Sequence, residues 1–157
     1  MKTQHALRCA VLTLTVCAST LAVAAGDFSR SSCKTWNGTV VAISGVDTPR
    51  ARMSGIITRA DVREYCERDP GSETTANRGR LTLEACVDKY YRENKGIKLK
   101  TWADCQKASL EFHDGPYVKR VRFPVEDISC GSGNPPLIDQ FIKLCPTRAR
   151  EPGMVPW

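Results

Sequence analysis

Six cysteines, Cys33, Cys66, Cys86, Cys105, Cys130 and Cys145, punctuate most of the chain at intervals of 33, 20, 19, 25 and 15 residues. No two of them form the Cys-x-x-Cys pair that a zinc knuckle or a dithiol redox site needs. An even number of scattered cysteines instead predicts a disulfide framework, if the chain folds in an oxidising compartment. The N-terminus predicts that compartment. Lys2 and Arg8 precede a run from Cys9 to Val23 that is almost wholly apolar or small, and Ala22-Val23-Ala24 closes it. Charged, apolar and small-residue regions in that order make a secretory signal peptide. At about fifteen residues the apolar run falls short of the roughly 20 that a membrane span requires. Cys9 and Cys17 would leave with the leader.

Cleavage after Ala24 or Ala25 leaves about 132 residues, enough for one small domain. Without Lys2 and Arg8 the remainder has 21 basic and 17 acidic side chains, a balance of +4. That is mild, and argues against a nucleic-acid-binding stripe. The expected organisation is a signal peptide at 1–25, a loosely ordered segment at 26–54, a disulfide-stapled α+β domain at 55–147 and a flexible tail at 148–157.

Local patterns predict the elements. Thr39-Val40-Val41-Ala42-Ile43, after Trp36, suits one short strand inside the loose segment. Thr58 and Asp61 make a capping-box-like pair before a helix with Val62, Tyr65 and Cys66 on one face, and Asp69-Pro70-Gly71 stops it. Glu64 with Arg68 and Arg63 with Glu67 lie four apart on the wet face. Thr82 begins a second helix whose apolar stripe is Leu83, Cys86, Val87 and Tyr90, and Gly96 closes it. Alternation over Leu110/Phe112 and Tyr117–Phe123 around Asp114-Gly115 predicts a hairpin. Asn134 as N-cap and Pro135 at the first position predict a third helix, with Leu137, Phe141 and Leu144 on its apolar side. The expected fold class is therefore α+β: two N-terminal helices, an antiparallel hairpin or small sheet, and a C-terminal helix. The expected disulfides are Cys66–Cys86, between two apolar helix faces, Cys130–Cys145, closing a short loop, and by elimination Cys33–Cys105.

Chemistry-bearing constellations are few. Once the leader and His5 are gone, His113 is the single histidine, which excludes a two-histidine acid–base pair or a His-rich metal site. Ser109, Glu111 and His113 would share one face of a strand, but neighbours on one strand point outward in parallel rather than converging as a triad must. His113 is expected as a solvated residue at the hairpin tip. Gly131-Ser132-Gly133 precedes a helix, yet it lacks the Lys-Ser/Thr pair of a P-loop, and Pro135 and Pro136 withhold N–H groups a phosphate would need. No metal site or cofactor is expected. The remaining surface is basic: Lys95, Lys98, Lys100 and Lys107 before the hairpin, and Lys119, Arg120 and Arg122 on it, interleaved with Trp102, Tyr117 and Phe123. Lys119, Arg120 and Arg122 are the candidate contacts for an anionic partner; alternation sets Arg120 and Arg122 on one face and Lys119 on the other.

R-D-P-G at 68–71, L-T-x-E-x-C-V at 81–87 and C-x-S-G-x-P-P-L-I-x-Q-F-x-x-L-C-P at 130–146 resemble small uncharacterised exported proteins of Gram-negative bacteria. The resemblance spans 58–146 and implies the compartment, periplasmic or secreted, but no activity and no catalytic residues. The leading expectation is a non-enzymatic binding protein whose partner is another protein or an anionic envelope component. An inhibitor or immunity protein against a toxic or lytic enzyme is the second reading, and a small hydrolase or nuclease centred on His113 the third.

Overall fold

In a computed structural model that describes residues 26–31 and 36–156, the chain forms one six-stranded antiparallel sheet in which each strand pairs with its sequence neighbour. The strands are β1 (Asp27–Ser31), β2 (Trp36–Ser44), β3 (Ala51–Ile56), β4 (Lys98–Asp104), β5 (Ser109–Asp114) and β6 (Tyr117–Arg122). Helices α1 (Arg59–Arg68) and α2 (Leu83–Asn94) leave the sheet after β3 and return to it at β4, and α3 (Pro135–Leu144) and α4 (Pro146–Ala149) follow β6. The expected order of two N-terminal helices, a hairpin and a terminal helix is thus overturned. The helix pair is an excursion within the sheet: β3 and β4 still pair continuously from Ala51 opposite Ala103 to Ile56 opposite Lys98. The expected signal peptide and Cys33 lie outside the described residues.

The segment expected to be loose supplies β1, β2 and most of β3. Its strand signal is masked by small inward residues. In β3, Ala51, Met53 and Gly55 face the core while Arg52, Ser54 and Ile56 alternate outward. A Cβ at Gly55 would lie 2.6 Å from the Phe28 ring, and one at Gly38 would lie 2.6 Å from Leu99. These glycines sit mid-strand because neighbouring side chains occupy their place, the close-approach use of glycine in a sheet.

Helix α3 packs across the inner face against β1, β3, β4 and β5. Leu137, Ile138, Phe141 and Leu144 are buried there, and Phe141 stacks on Phe123 with centroids 4.0 Å apart. Gln140, fully buried, accepts from Thr101 Oγ1 on β4 and donates to the Ser29 carbonyl on β1. It ties the helix to a central and an edge strand, and satisfies its own amide while doing so. Asn134 is not the side-chain cap it was expected to be; its amide donates to the Asp127 carbonyl, 2.7 Å away. The tail is not loose either. Met154 and Val155 are buried, and Asp47 on the β2–β3 turn accepts from Thr147 N and Oγ1 at 2.9 and 2.8 Å.

The Cys66–Cys86 bond forms as expected between α1 and α2, with Cα atoms 6.0 Å apart. Cys105, however, bonds Cys145, at a Cα separation of 5.4 Å. This overturns both Cys130–Cys145 and Cys33–Cys105, because the turn after β4 comes to rest beside the end of α3, a proximity that sequence spacing cannot show. Cys130 is also disulfide-bonded. Such bonds are compatible with an oxidising location.

Local signals around α1 are realised. Thr58 and Asp61 form the reciprocal capping box, and Thr82 caps α2. Glu64 pairs with Arg68, whereas Arg63 reaches Glu84 on α2 rather than Glu67. Asp69 ends α1 at a left-handed φ of 40° and organises the crossover loop. Its buried carboxylate accepts from Glu73 N, Thr74 N, Thr74 Oγ1 and Asn77 Nδ2 at 2.7–2.9 Å. Burial works against its charge, but the Asn77, Thr74 and Glu73 donors outweigh burial and hold its pKa at about 2, against an ordinary 3.8. A carboxylate depressed in this way contributes stability that is complete above pH 3.8 and is lost as pH falls towards 2. Acid unfolding should therefore show a fall across that window that is shallower in Asp69→Asn, which starts less stable at pH 6. Parallel acid profiles for the two proteins would contradict this role.

Candidate binding face

Helix α3 covers one face of the sheet, and alternation sends every second strand residue to the other. Across β3–β6 the outward side chains form rows fixed by register. Arg52, Trp102, Glu111 and Arg120 make one row, and Ser54, Lys100, His113 and Val118 the next. Lys98 lies beyond Lys100 on β4, and Arg122 opposite Ser109 on β5–β6. The face is wet and basic, with apolar members among its charges: Trp102 is 40% exposed, Val118 41%, and Ile56 44%.

The charges divide into paired and unpaired. Glu111 accepts from Arg120 Nε at 2.6 Å and stands 2.6 Å from His113 Nε2. Arg120 and then His113 hold the Glu111 carboxyl below the usual carboxylate range, and the same contact raises Arg120. Arg52 donates to Ser44 Oγ at 2.8 Å. Asp104, kept ionised by the Lys107 N–H ahead of other contacts, pairs with Lys107 Nζ at 3.2 Å. Lys98, Lys100 and Arg122 have no ion pair among the described residues, so their charges are directed to solvent.

Of the three cations singled out from sequence, Arg120 and Arg122 share this face, and Lys119 does not. Lys119 is half-buried on the opposite side, where its ammonium donates to the Ser132 carbonyl and tethers the loop before α3. Gly131-Ser132-Gly133 is thus a staple in the structure: the Ser132 hydroxyl donates to the Ser129 carbonyl and accepts from Asn134 N. His113 is not at the hairpin tip. It lies within β5, and its ring meets Trp102 edge to face with centroids 4.7 Å apart. Ser109, Glu111 and His113 do share a face, but Ser109 and His113 are four residues apart on one strand, about 13 Å by strand rise, too far for proton transfer. Arg52 on β3 belongs to the face and was missed, since recognising it required knowing that β3 neighbours β4.

Three surface depressions open along this face. The largest, about 710 Å³, lies across β3–β6 beside the β2–β3 turn and is bordered by Arg50, Arg52, Trp102, Glu111, Arg120 and Arg122. A second, of about 350 Å³, lies on the other side of Arg52 and Trp102 with Lys100, and a third, of about 510 Å³, joins Lys98, Lys100 and His113. No cluster of three or more His, Cys, Asp or Glu side chains suited to a metal is found among the described residues. No helix among them is long and apolar enough to cross a membrane. The chain matches no family model, no curated protein and no solved structure.

Proposed function

We propose that this chain is an exported, non-enzymatic binding protein that engages an anionic partner through the open face of β3–β6. One observation carries the reading: Lys98, Lys100 and Arg122 present uncompensated charge around a half-exposed Trp102, on a face that the packing of α3 does not use. Arginine and tryptophan are the side chains that most often anchor interfaces, the first through forked hydrogen bonds and the second through desolvated area. The arrangement combines both with a surrounding positive field that speeds encounter with an anion.

The test separates the face from net charge. Arg52, Lys98, Lys100 and Arg122 are replaced together by serine in one variant; in a second, Arg78, Arg80, Arg92 and Arg150 are. Both lose the same charge. On a sulfated heparin matrix and against poly-glutamate, the first variant should elute at clearly lower salt than the second. Equal behaviour of the two would remove the face from the function.

A further inference from the structure

Building on that reading, we propose that the groove between Arg50/Arg52 and Arg120/Arg122 is a binding site for an acidic saccharide, a short stretch of uronic-acid sugars lying across Trp102. The groove's two arginine pairs stand on opposite walls. Arg50 and Arg52 come from β3 and the turn before it, and Arg120 and Arg122 from β6. Three strand steps separate β3 from β6, roughly 14 Å at the usual spacing. The ligand must therefore offer more than one anionic group, with a body of some length between them. A planar guanidinium fork matches a carboxylate in two parallel hydrogen bonds, which a point-charge ammonium cannot do.

The space between the arginines narrows the choice. Trp102 stands between the walls at 40% exposure and supplies the groove's apolar surface, while Ala51, Ala103, Leu110 and Val121 border the groove but belong to the row whose side chains face the core. A flat body with an apolar face fits there, its slightly positive C–H groups against the negative face of the indole. Ser109, Glu111 and Asp104 also line the groove. Glu111 is ionised and already bonded to Arg120 and His113, so its spare lone pairs accept but cannot donate. Acceptors inside an otherwise cationic groove call for hydroxyl donors on the ligand. A phosphate polymer presents only acceptors along its backbone, and an acidic protein surface offers carboxylates with few hydroxyls. A uronic-acid chain carries all three parts: carboxylates, hydroxyls and flat apolar ring faces. At about 710 Å³ the groove is within the 300–1,000 Å³ range usual for ligand sites.

The probe is hexagalacturonate, titrated at low salt by calorimetry and by NMR of the Trp102 indole N–H. Its methyl-esterified form, poly-glutamate and a single-stranded oligonucleotide are titrated beside it. Hexagalacturonate should bind and move the Trp102 indole signal, and the esterified chain should not. Trp102→Ala and the pair Arg52→Gln/Arg122→Gln should each weaken binding by about tenfold or more. The arginine pair is exposed, so it carries the test if Trp102→Ala perturbs folding. Binding of poly-glutamate or the oligonucleotide without hexagalacturonate would overturn the saccharide assignment and leave the anionic face standing. Hexagalacturonate binding that is indifferent to both variants would also overturn it, by placing the sugar elsewhere. Failure of every anionic probe would overturn the assignment together with the reading on which it rests.

Discussion

Replacing Cys105 and Cys145 together by serine should lower stability by about 4 kcal/mol, against about 3 kcal/mol for Cys66 with Cys86, because the first bond closes a 40-residue loop and the second a 20-residue one. For a domain of this size that is a fall in Tm of roughly 10–20 °C. Both sulfurs of the first bond are buried, Cys145 completely, so two serine hydroxyls would also have to find partners among apolar neighbours. The bond has a positional role besides. It clamps the turn between β4 and β5 to the end of α3, and the strand ends on either side of this turn, Asp104 and Ser109, line the arginine-bordered groove. Calorimetric unfolding of the two double variants checks the ranking, and non-reducing peptide mapping checks the pairing. A loss below about 1 kcal/mol for the first variant would contradict this role, since removing a native disulfide from a small domain typically costs several times that.

What could be read in the sequence follows from how local each signal is. The capping box at Thr58 and Asp61, the stop at Asp69 and the cap at Thr82 are decided within four or five residues, and all three form. So does the β5–β6 hairpin, whose turn contains Gly115. Cys66–Cys86 was legible for the same reason: two adjacent helices with apolar stripes that must face each other. The sheet was not. β3 alternates correctly, but its inward residues are alanine, methionine and a glycine whose place is taken by the Phe28 ring, so it reads as a linker. The pairing of β3 with β4 across a helical excursion is a non-local fact. Once it was missed, Arg52 could not be placed beside Trp102, nor Cys105 beside Cys145. The candidate face was half legible: Arg120 and Arg122 stand out by alternation, whereas the diversion of Lys119 to Ser132 depends on a loop whose path only the fold defines.

Phe141→Ala should destabilise the protein by about 3–5 kcal/mol, the range for deleting a fully buried aromatic ring. Phe141 is inaccessible to solvent, stacks on Phe123, and stands next to Gln140, which joins α3 to β1 and β4. Truncation leaves a void that the sheet cannot collapse into, because the disulfide at Cys145 and the Asp47–Thr147 contacts hold the helix end in place. Serine at Lys98, Lys100 and Arg122 should change stability by no more than about 0.5 kcal/mol each, as for exposed side chains without partners. Chemical denaturation of the two sets at equal slope is the measurement, and similar losses in both would mean that the outer face is structural. The contrast bears on function. Alternation makes each strand contribute equally to both faces, and only the inner face is fixed by α3. Nothing in the packing requires a tryptophan at position 102 or unpaired cations around it, and a half-exposed indole on a wet sheet gives up area that burial would have made stabilising. If the serine variants fold as expected, the composition of this face is left to be accounted for by the proposed anionic partner rather than by packing.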